Sequence, residues 1–211
     1  MADLFEAWPA DELDAWVFGY GSLMWDPCFR YVERRRALLR GYHRALCILS
    51  FINRGTPEKP GLALGLDRGG SCSGFAFRLD PDNLAAATPV LWQREMRNGV
   101  YRPKVLSVRL AGGGREPALV FVARPDHPQY AGDLKSQEAA LLVAQGAGAY
   151  GTALDYLRNV VRHLDVFGIA DCPLHRVLTL AEASAATASS PPTGGAVQSS
   201  AQNPECKGDD L

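Results

Sequence analysis

The chain has 211 residues, 47% of them hydrophobic, which is enough to enclose one sizeable core. A formal net charge of −1 gives no general attraction to nucleic acid or to an anionic membrane surface. The acidic start Met1–Glu6 carries no basic residue before Arg30, so no secretory signal is expected, and the scattered thiols Cys28, Cys47, Cys72, Cys172 and Cys206 are expected to be reduced in a cytoplasmic protein.

Residues 1–15 form an N-terminal extension. Val17 and Phe18 then begin a short apolar strand that runs into the turn Gly19-Tyr20-Gly21-Ser22-Leu23-Met24-Trp25. Glycines at positions 19 and 21 would permit positive φ and close approach of a ligand to the backbone amides. Successive amides in such a turn can hold an anion or a developing oxyanion. Gly-x-Gly turns also end ordinary strands, so this signal needs a second feature beside it.

After Asp26-Pro27 the segment Tyr31 to Phe51 is rich in Arg, Leu, Ile and Tyr and predicts one long or two short strands. Arg34, Arg36, Arg40 and Arg44 share one parity, as on a solvated sheet face. The segment Arg54-Gly55-Thr56-Pro57-Glu58-Lys59-Pro60-Gly61 is a loop. Residues 62–66 and 74–79 predict a β-hairpin turning at Gly69-Gly70. Asp80-Pro81 and Thr88-Pro89 each place a capping side chain before a proline, which predicts a short helix, a break, and a second helix from about Pro89 to Asn98. Strands over Tyr101–Leu110 and Ala118–Ala123 flank Gly112-Gly113-Gly114, and Ser136 caps a helix running to about Gln145.

The segment Ala139–Leu154 is uncharged but broken by Gln145, Gly146 and Gly148, and it is shorter than the roughly 20 residues of a membrane span. Thr152-x-x-Asp155 is a capping box for a helix with an apolar stripe of Leu154, Leu157, Val161 and Leu164, leaving at Gly168. A short turn or helix near Leu174–Leu180 closes the domain. Between Glu182 and Glu205 no residue is charged, and this composition predicts a disordered tail over 181–211. The whole is one α+β domain over 16–180, a curled sheet or small β-barrel with helices packed outside.

The second feature is Glu95. On a helix it follows Leu91 by four residues and Trp92 by three, so it projects from the apolar stripe. A helical salt bridge would need a cation three or four residues away, where the chain has Leu91, Trp92, Asn98 and Gly99. A buried carboxylate with no local cation is costly, and such groups concentrate at functional sites; the competing explanation is a tertiary ion pair with a distant arginine.

Other chemistries find less support. The histidines His43, His127, His163 and His175 are dispersed, Cys172-x-x-His175 is half a zinc site, and His163 falls on a helix surface. Nothing local marks Cys28 as an activated thiol. The Gly-x-Gly lacks the third glycine of a dinucleotide site, and Ser22 lacks the Gly-x-Ser-x-Gly of a nucleophile elbow.

Together, Phe18-Gly19-Tyr20-Gly21-Ser22-Leu23-Met24-Trp25, Arg54-Gly55-Thr56-Pro57-Glu58 with Pro60-Gly61, Arg94-Glu95-Met96 with Tyr101, and Tyr156-Leu157 make the chain resemble a ChaC-type γ-glutamylcyclotransferase over about Trp16 to Leu180. Met24 stands where that family commonly has Ile. The resemblance implies a β-barrel with surrounding helices and a lyase acting on glutathione as its small-molecule partner. The α-amine of the γ-glutamyl group would attack its own γ-carbonyl, giving 5-oxoproline and cysteinylglycine, with no cofactor and no metal. Glu95 would be the general acid/base. Val17, Phe18, Gly19, Tyr20, Gly21, Ser22, Leu23, Arg54, Gly55, Thr56 and Tyr101 would form the substrate site. Two alternatives share the same base and turn: a cyclotransferase for other γ-glutamyl amino acids or amines, and a non-catalytic γ-glutamyl-binding module.

Overall fold

The structure is a computed structural model and describes residues 15–189. The expected N-terminal extension and the segment from 190 onward lie outside the described residues.

Five strands close into a barrel in the order β1-β3-β2-β4-β5. Strand β1 is Trp16–Gly19, with all four residues buried. It lies antiparallel to β3 (Gly61–Leu79) and parallel to β5 (Arg115–Ala123), and so seals the barrel. Strand β2 (Tyr31–Ser50) pairs antiparallel with β3 from Tyr31↔Leu79 to Ser50↔Gly61. Strand β4 (Tyr101–Leu110) pairs with β5 and with the middle of β2. Closure removes the exposed sheet edges that an open five-stranded sheet would leave.

The hairpin expected within residues 62–79 does not form. Both runs belong to β3, and Gly69 (φ 96°) and Gly70 (φ 65°) sit opposite Gly41 (φ 85°) in a bulge, where the register shifts between Arg40 and Tyr42. Positive-φ glycines there coil the ribbon instead of reversing it.

The break expected at Pro89 is also absent. A 3₁₀ turn over Pro81–Asn83, capped by Asp80, leads into α1 (Leu84–Glu95), which contains Pro89. The Thr88 hydroxyl donates to the Leu84 carbonyl at 2.8 Å, so the residue before the proline adds a bond to the turn in which Pro89 supplies none. The helix ends at Glu95, three residues before the expected Asn98.

Helix α2 (Ser136–Gln145) is followed by the two-stranded β6 (Ala147–Gly148) and β7 (Gly151–Thr152), then α3 (Ala153–Val166). The Thr152 side chain accepts from the Asp155 amide at 2.9 Å, and Leu154, Leu157, Val161 and Leu164 are buried, as the capping box and stripe predict. Gly168 leaves the helix at φ 60°. Helix α4 runs Cys172–Ser189, well beyond the turn expected to end at Leu180, and Ala181 is fully buried. The boundary placed at 181 therefore moves outward: an alanine-rich segment poor in large apolar groups still forms helix where it packs on α2 and α3. Among the described residues no helix is long and apolar enough to cross a membrane.

Candidate active site

Strand β1 delivers the chain into a single 3₁₀ turn, Ser22–Met24, closed by the Met24 amide on the Gly21 carbonyl and the Asp26 amide on the Ser22 carbonyl, each at 2.9 Å. Neither flanking glycine has positive φ, Gly21 sitting at φ −126°. Space is the reason for glycine at position 19, where a Cβ would lie 3.1 Å from Phe77 Cε2 and 3.2 Å from Leu23 Cβ. At Gly21 the nearest atom is Leu64 Cδ1 at 3.7 Å, so the missing side chain leaves open volume. That volume belongs to a small pocket of about 50 Å³ lined by Tyr20, Gly21, Ser22, Leu23, Leu64, Glu95, Tyr101 and Tyr156. Amides at the first turn of a helix have no intrahelical acceptor, and Ser22 and Leu23, which carry two of them, both line the pocket.

Glu95 is the last residue of α1, with its side chain 14% exposed. It lines both the small pocket and a larger outer cleft of about 860 Å³, whose walls include Asp26, Cys28, Asn53, Trp92, Arg97, Gln129 and Tyr150. Burial pushes its carboxyl up to about 7, and the Arg94 guanidinium pulls the other way. Arg94 Nε lies 3.8 Å from Glu95 Oε1, so the carboxylate does have a cation nearby, one residue away and not at helical spacing. Arg94 is engaged elsewhere too, donating to Ser22 Oγ at 3.1 Å and to the Asp26 carbonyl at 2.9 Å. It thereby ties the end of α1 to the turn after β1, which is how two segments over seventy residues apart come to face one another.

Three tyrosines surround the carboxyl. Tyr101 donates to the Leu64 carbonyl at 2.7 Å, and the Tyr156 hydroxyl accepts from the Leu64 amide at 3.4 Å. Burial holds the phenols of Tyr20 and Tyr101 well above their ordinary value and that of Tyr156 at about 12, so all three are neutral hydrogen-bonding groups at physiological pH. Cys28 also lines the outer cleft, but burial raises its thiol, so it is less acidic than an ordinary cysteine.

Of the expected substrate residues, Tyr20, Gly21, Ser22, Leu23 and Tyr101 meet Glu95 in the pocket. Val17 and Phe18 are fully buried in β1 and support the turn from behind. Arg54, Gly55 and Thr56 line neither cavity. Arg54 donates to the Tyr150 carbonyl and lies 5.1 Å over the Tyr156 ring, so it holds two wall residues in place. A Cβ at Gly55 would lie 2.2 Å from the Gly61 amide nitrogen, which makes this glycine a point of backbone contact. Thr56 bonds within its own loop, accepting from the Lys59 amide.

Sequence reasoning placed one side chain wrongly. Arg44, expected on a solvated face, is 6% exposed and donates to the Tyr20 carbonyl at 2.7 Å, to the Ser73 carbonyl at 2.7 Å and to Asp171 at 2.8 Å. The bulge at Gly41 shifts the register, and with it the parity on which that expectation rested. His163 stacks on Trp25, with centroids 4.2 Å apart and planes 11° apart, which locks α3 to the segment after the turn. His175 bonds to Asp165 at 2.8 Å, and among the described residues no group of three or more His, Cys, Asp or Glu is close enough to hold a metal ion.

A barrel that buries a carboxyl of raised affinity for protons against a glycine turn has the arrangement that proton-transfer sites use. The family model described as ChaC-like protein matches residues 15–184, and the chain belongs to that family. The chain is 39% identical over 168 residues to the glutathione-specific γ-glutamylcyclotransferase of Escherichia coli K12, covering 80% of this chain and 73% of that one. It is 31% identical over 157 residues to human glutathione-specific γ-glutamylcyclotransferase 1, covering 72% and 71%. The crystal structure of a yeast γ-glutamyl cyclotransferase specific to glutathione superimposes with a TM-score of 0.74 at 20% identity, over 82% of this chain and 97% of that one, and shows the same fold.

Proposed function

We propose that the protein is a glutathione-specific γ-glutamylcyclotransferase, a cytoplasmic lyase that converts glutathione to 5-oxoproline and cysteinylglycine. The observation that carries this reading is the position of Glu95, whose buried carboxyl lines the same small pocket as the Gly21–Leu23 turn and opens to the outer cleft. The names of the relatives support the substrate.

The γ-glutamyl head enters the small pocket with its α-ammonium toward Glu95. The ionised carboxylate takes a proton, and the free amine attacks the γ-carbonyl carbon of the same residue, closing a five-membered ring. Nucleophile and electrophile belong to one molecule, so holding the chain folded supplies a high effective concentration. The negative charge that builds on the carbonyl oxygen is stabilised by the amides of Ser22 and Leu23, which have no helical acceptor of their own. Glu95 returns its proton to the departing amide nitrogen, the carbon–nitrogen bond to cysteine breaks, the ring nitrogen gives its second proton to the freed cysteine amine, and the carboxylate is restored. A base titrating near 7 is matched to this double duty, because it neither holds nor releases the proton too firmly at neutral pH. The three tyrosines, neutral and buried, exclude water and orient the head group. The departing dipeptide occupies the outer cleft, whose volume of about 860 Å³ is far larger than a single amide substituent needs.

Glu95→Gln abolishes 5-oxoproline release from glutathione while leaving the fold intact; near-normal turnover by the purified variant would remove Glu95 as the base. Assaying 5-oxoproline with glutathione, γ-glutamylalanine and γ-glutamyl-lysine in parallel tests the substrate, and equal or higher kcat/KM for either of the last two would overturn the glutathione assignment.

A further inference from the structure

A third cavity, of about 420 Å³, does not include Glu95 and is lined by Arg36, Ala37, Ser73, Arg109, Gly112 and Ile169, among others, with no carboxylate in its wall. Its basic residues belong partly to the run Arg34-Arg35-Arg36, which the proposed reaction leaves unused. Two of the three are accounted for within the fold. Arg34 lies over the Phe75 ring at 4.8 Å, and Arg35 contacts Glu33 at 3.8 Å and donates to the Ala111 carbonyl. Glu33 also binds Arg78 at 3.1 Å, so the one acid in this stretch of β2 is already shared. Arg36 and Arg109 have no acidic partner and make no side-chain hydrogen bond among the described residues.

The register makes this arrangement costly. Arg109 is paired directly opposite Leu38, two residues along β2 from Arg36, and on its other side directly opposite Arg115. Like charges facing across a strand pair are destabilising. The third wall is the turn between β4 and β5, where Gly112, Gly113 and Gly114 all have positive φ, at 86°, 106° and 86°. Within that turn the Gly113 amide bonds to the Leu110 carbonyl and the Ala111 amide to the Arg36 carbonyl, whereas the Gly112 amide bonds to nothing among the described residues. Two exposed arginines and a glycine turn with an unused amide therefore line one cavity, with apolar wall supplied by Ala37, Leu38, Leu110 and Ile169.

We infer that this cavity is a second binding site, for a small molecule carrying a phosphate or carboxylate oxyanion on a compact apolar body. Each guanidinium offers a planar fork of donors suited to such an anion, and the glycine turn lets the backbone approach it. An anion bound there offsets the like charges of Arg109 and Arg115, which face one another across the β4–β5 pair. Arg36 also reaches toward the C-terminal end of α3, its Nη2 3.4 Å from where a Cβ on Gly168 would be, so attraction to that helix end is the competing use for this side chain.

The test is isothermal titration of the purified protein with sodium pyrophosphate and, separately, sodium citrate, each against sodium chloride at matched ionic strength. One or both bind with 1:1 stoichiometry, and Arg36→Ser and Arg109→Ser each weaken that binding at least tenfold; preference between the probes tells phosphate from carboxylate. In chloride alone the double variant is at least as stable to heat as the parent, which separates lost binding from lost folding. No binding of either probe beyond the chloride control overturns the inference, as does binding by the double variant as tight as the parent's. A double variant that melts well below the parent in chloride also overturns it, because the arginines would then serve the fold.

Discussion

Glu95→Gln makes a demanding test because it should raise stability while destroying activity. A carboxyl that titrates near 7 in the folded protein, against an ordinary 4.5, is one the fold prefers protonated. Below about pH 4.5 it is neutral in both folded and unfolded chains and its contribution to stability is fully present. As pH rises toward 7 the unfolded chain ionises first, so the folded state loses ground at about 1.4 kcal/mol per pH unit. The loss is complete above pH 7 and amounts to about 3 kcal/mol; the Arg94 attraction at 3.8 Å is already contained in that value. Glutamine has nearly the same shape and never ionises. The variant should therefore match the parent at pH 4.5 and exceed it by about 3 kcal/mol at pH 8.5.

Urea unfolding followed by tryptophan fluorescence across this range gives both curves, and their difference removes groups common to the two proteins. Among these is His175, whose imidazole is raised by the Asp171 carbonyl and the Asp165 carboxylate. A constant offset between the curves, or a variant less stable at high pH, would refute the reasoning, since Glu95 would then not be desolvated at the pocket. As the proposed base, the same group must be ionised to act, so kcat/KM should rise with pH through about 7 and level off above it.

Other substitutions separate the roles of the glycines and the buried arginine. Gly21→Ala adds a methyl where the nearest atom is 3.7 Å away, so the protein should fold normally while the small pocket shrinks. KM for glutathione should rise about tenfold or more, measured with a melting temperature that stays put. Gly19→Ala meets Phe77 and Leu23 at 3.1 and 3.2 Å and should cost about 1–3 kcal/mol in urea unfolding. Gly55→Ala places a methyl 2.2 Å from the Gly61 nitrogen and 2.5 Å from the Ser50 carbonyl oxygen, so a loss of more than about 3 kcal/mol is expected, and soluble protein of unchanged stability would show that the loop can shift. Arg44→Met leaves Asp171 and two carbonyls without their donor and should cost about 3–5 kcal/mol, part of it recovered by adding Asp171→Leu.

What could be read from the sequence was whatever depends on near neighbours. The capping box at Thr152, the apolar stripe of α3 and the strands around Gly112–Gly114 follow from local patterns, and the structure has them within a few residues. Glu95 was visible for the same reason, as an acid on an apolar helical stripe. Its cation was not, because Arg94 approaches from the preceding position, which helical spacing does not describe. The tail boundary failed for a related reason: composition around Ala181 reports the burial a segment can offer, and α4 gains its burial from α2 and α3.

Arg44 shows the limit most clearly. Parity along β2 assigned it to solvent with Arg34, Arg36 and Arg40, and parity is a sound rule only while every residue advances the register by one. Gly41, with φ 85° opposite Gly69 and Gly70, breaks that rule after Arg40, and the next arginine turns inward. Those glycines looked like a hairpin turn because positive φ serves both a reversal and a bulge, and only the partner strand decides between them. The consequence reaches the candidate active site. A guanidinium that would otherwise hydrate on the surface instead donates to the carbonyl of Tyr20 and, through Asp171, fastens the start of α4 to the turn that faces Glu95. The bulge therefore does more than bend the ribbon: it supplies the buried donor that fixes where the turn begins.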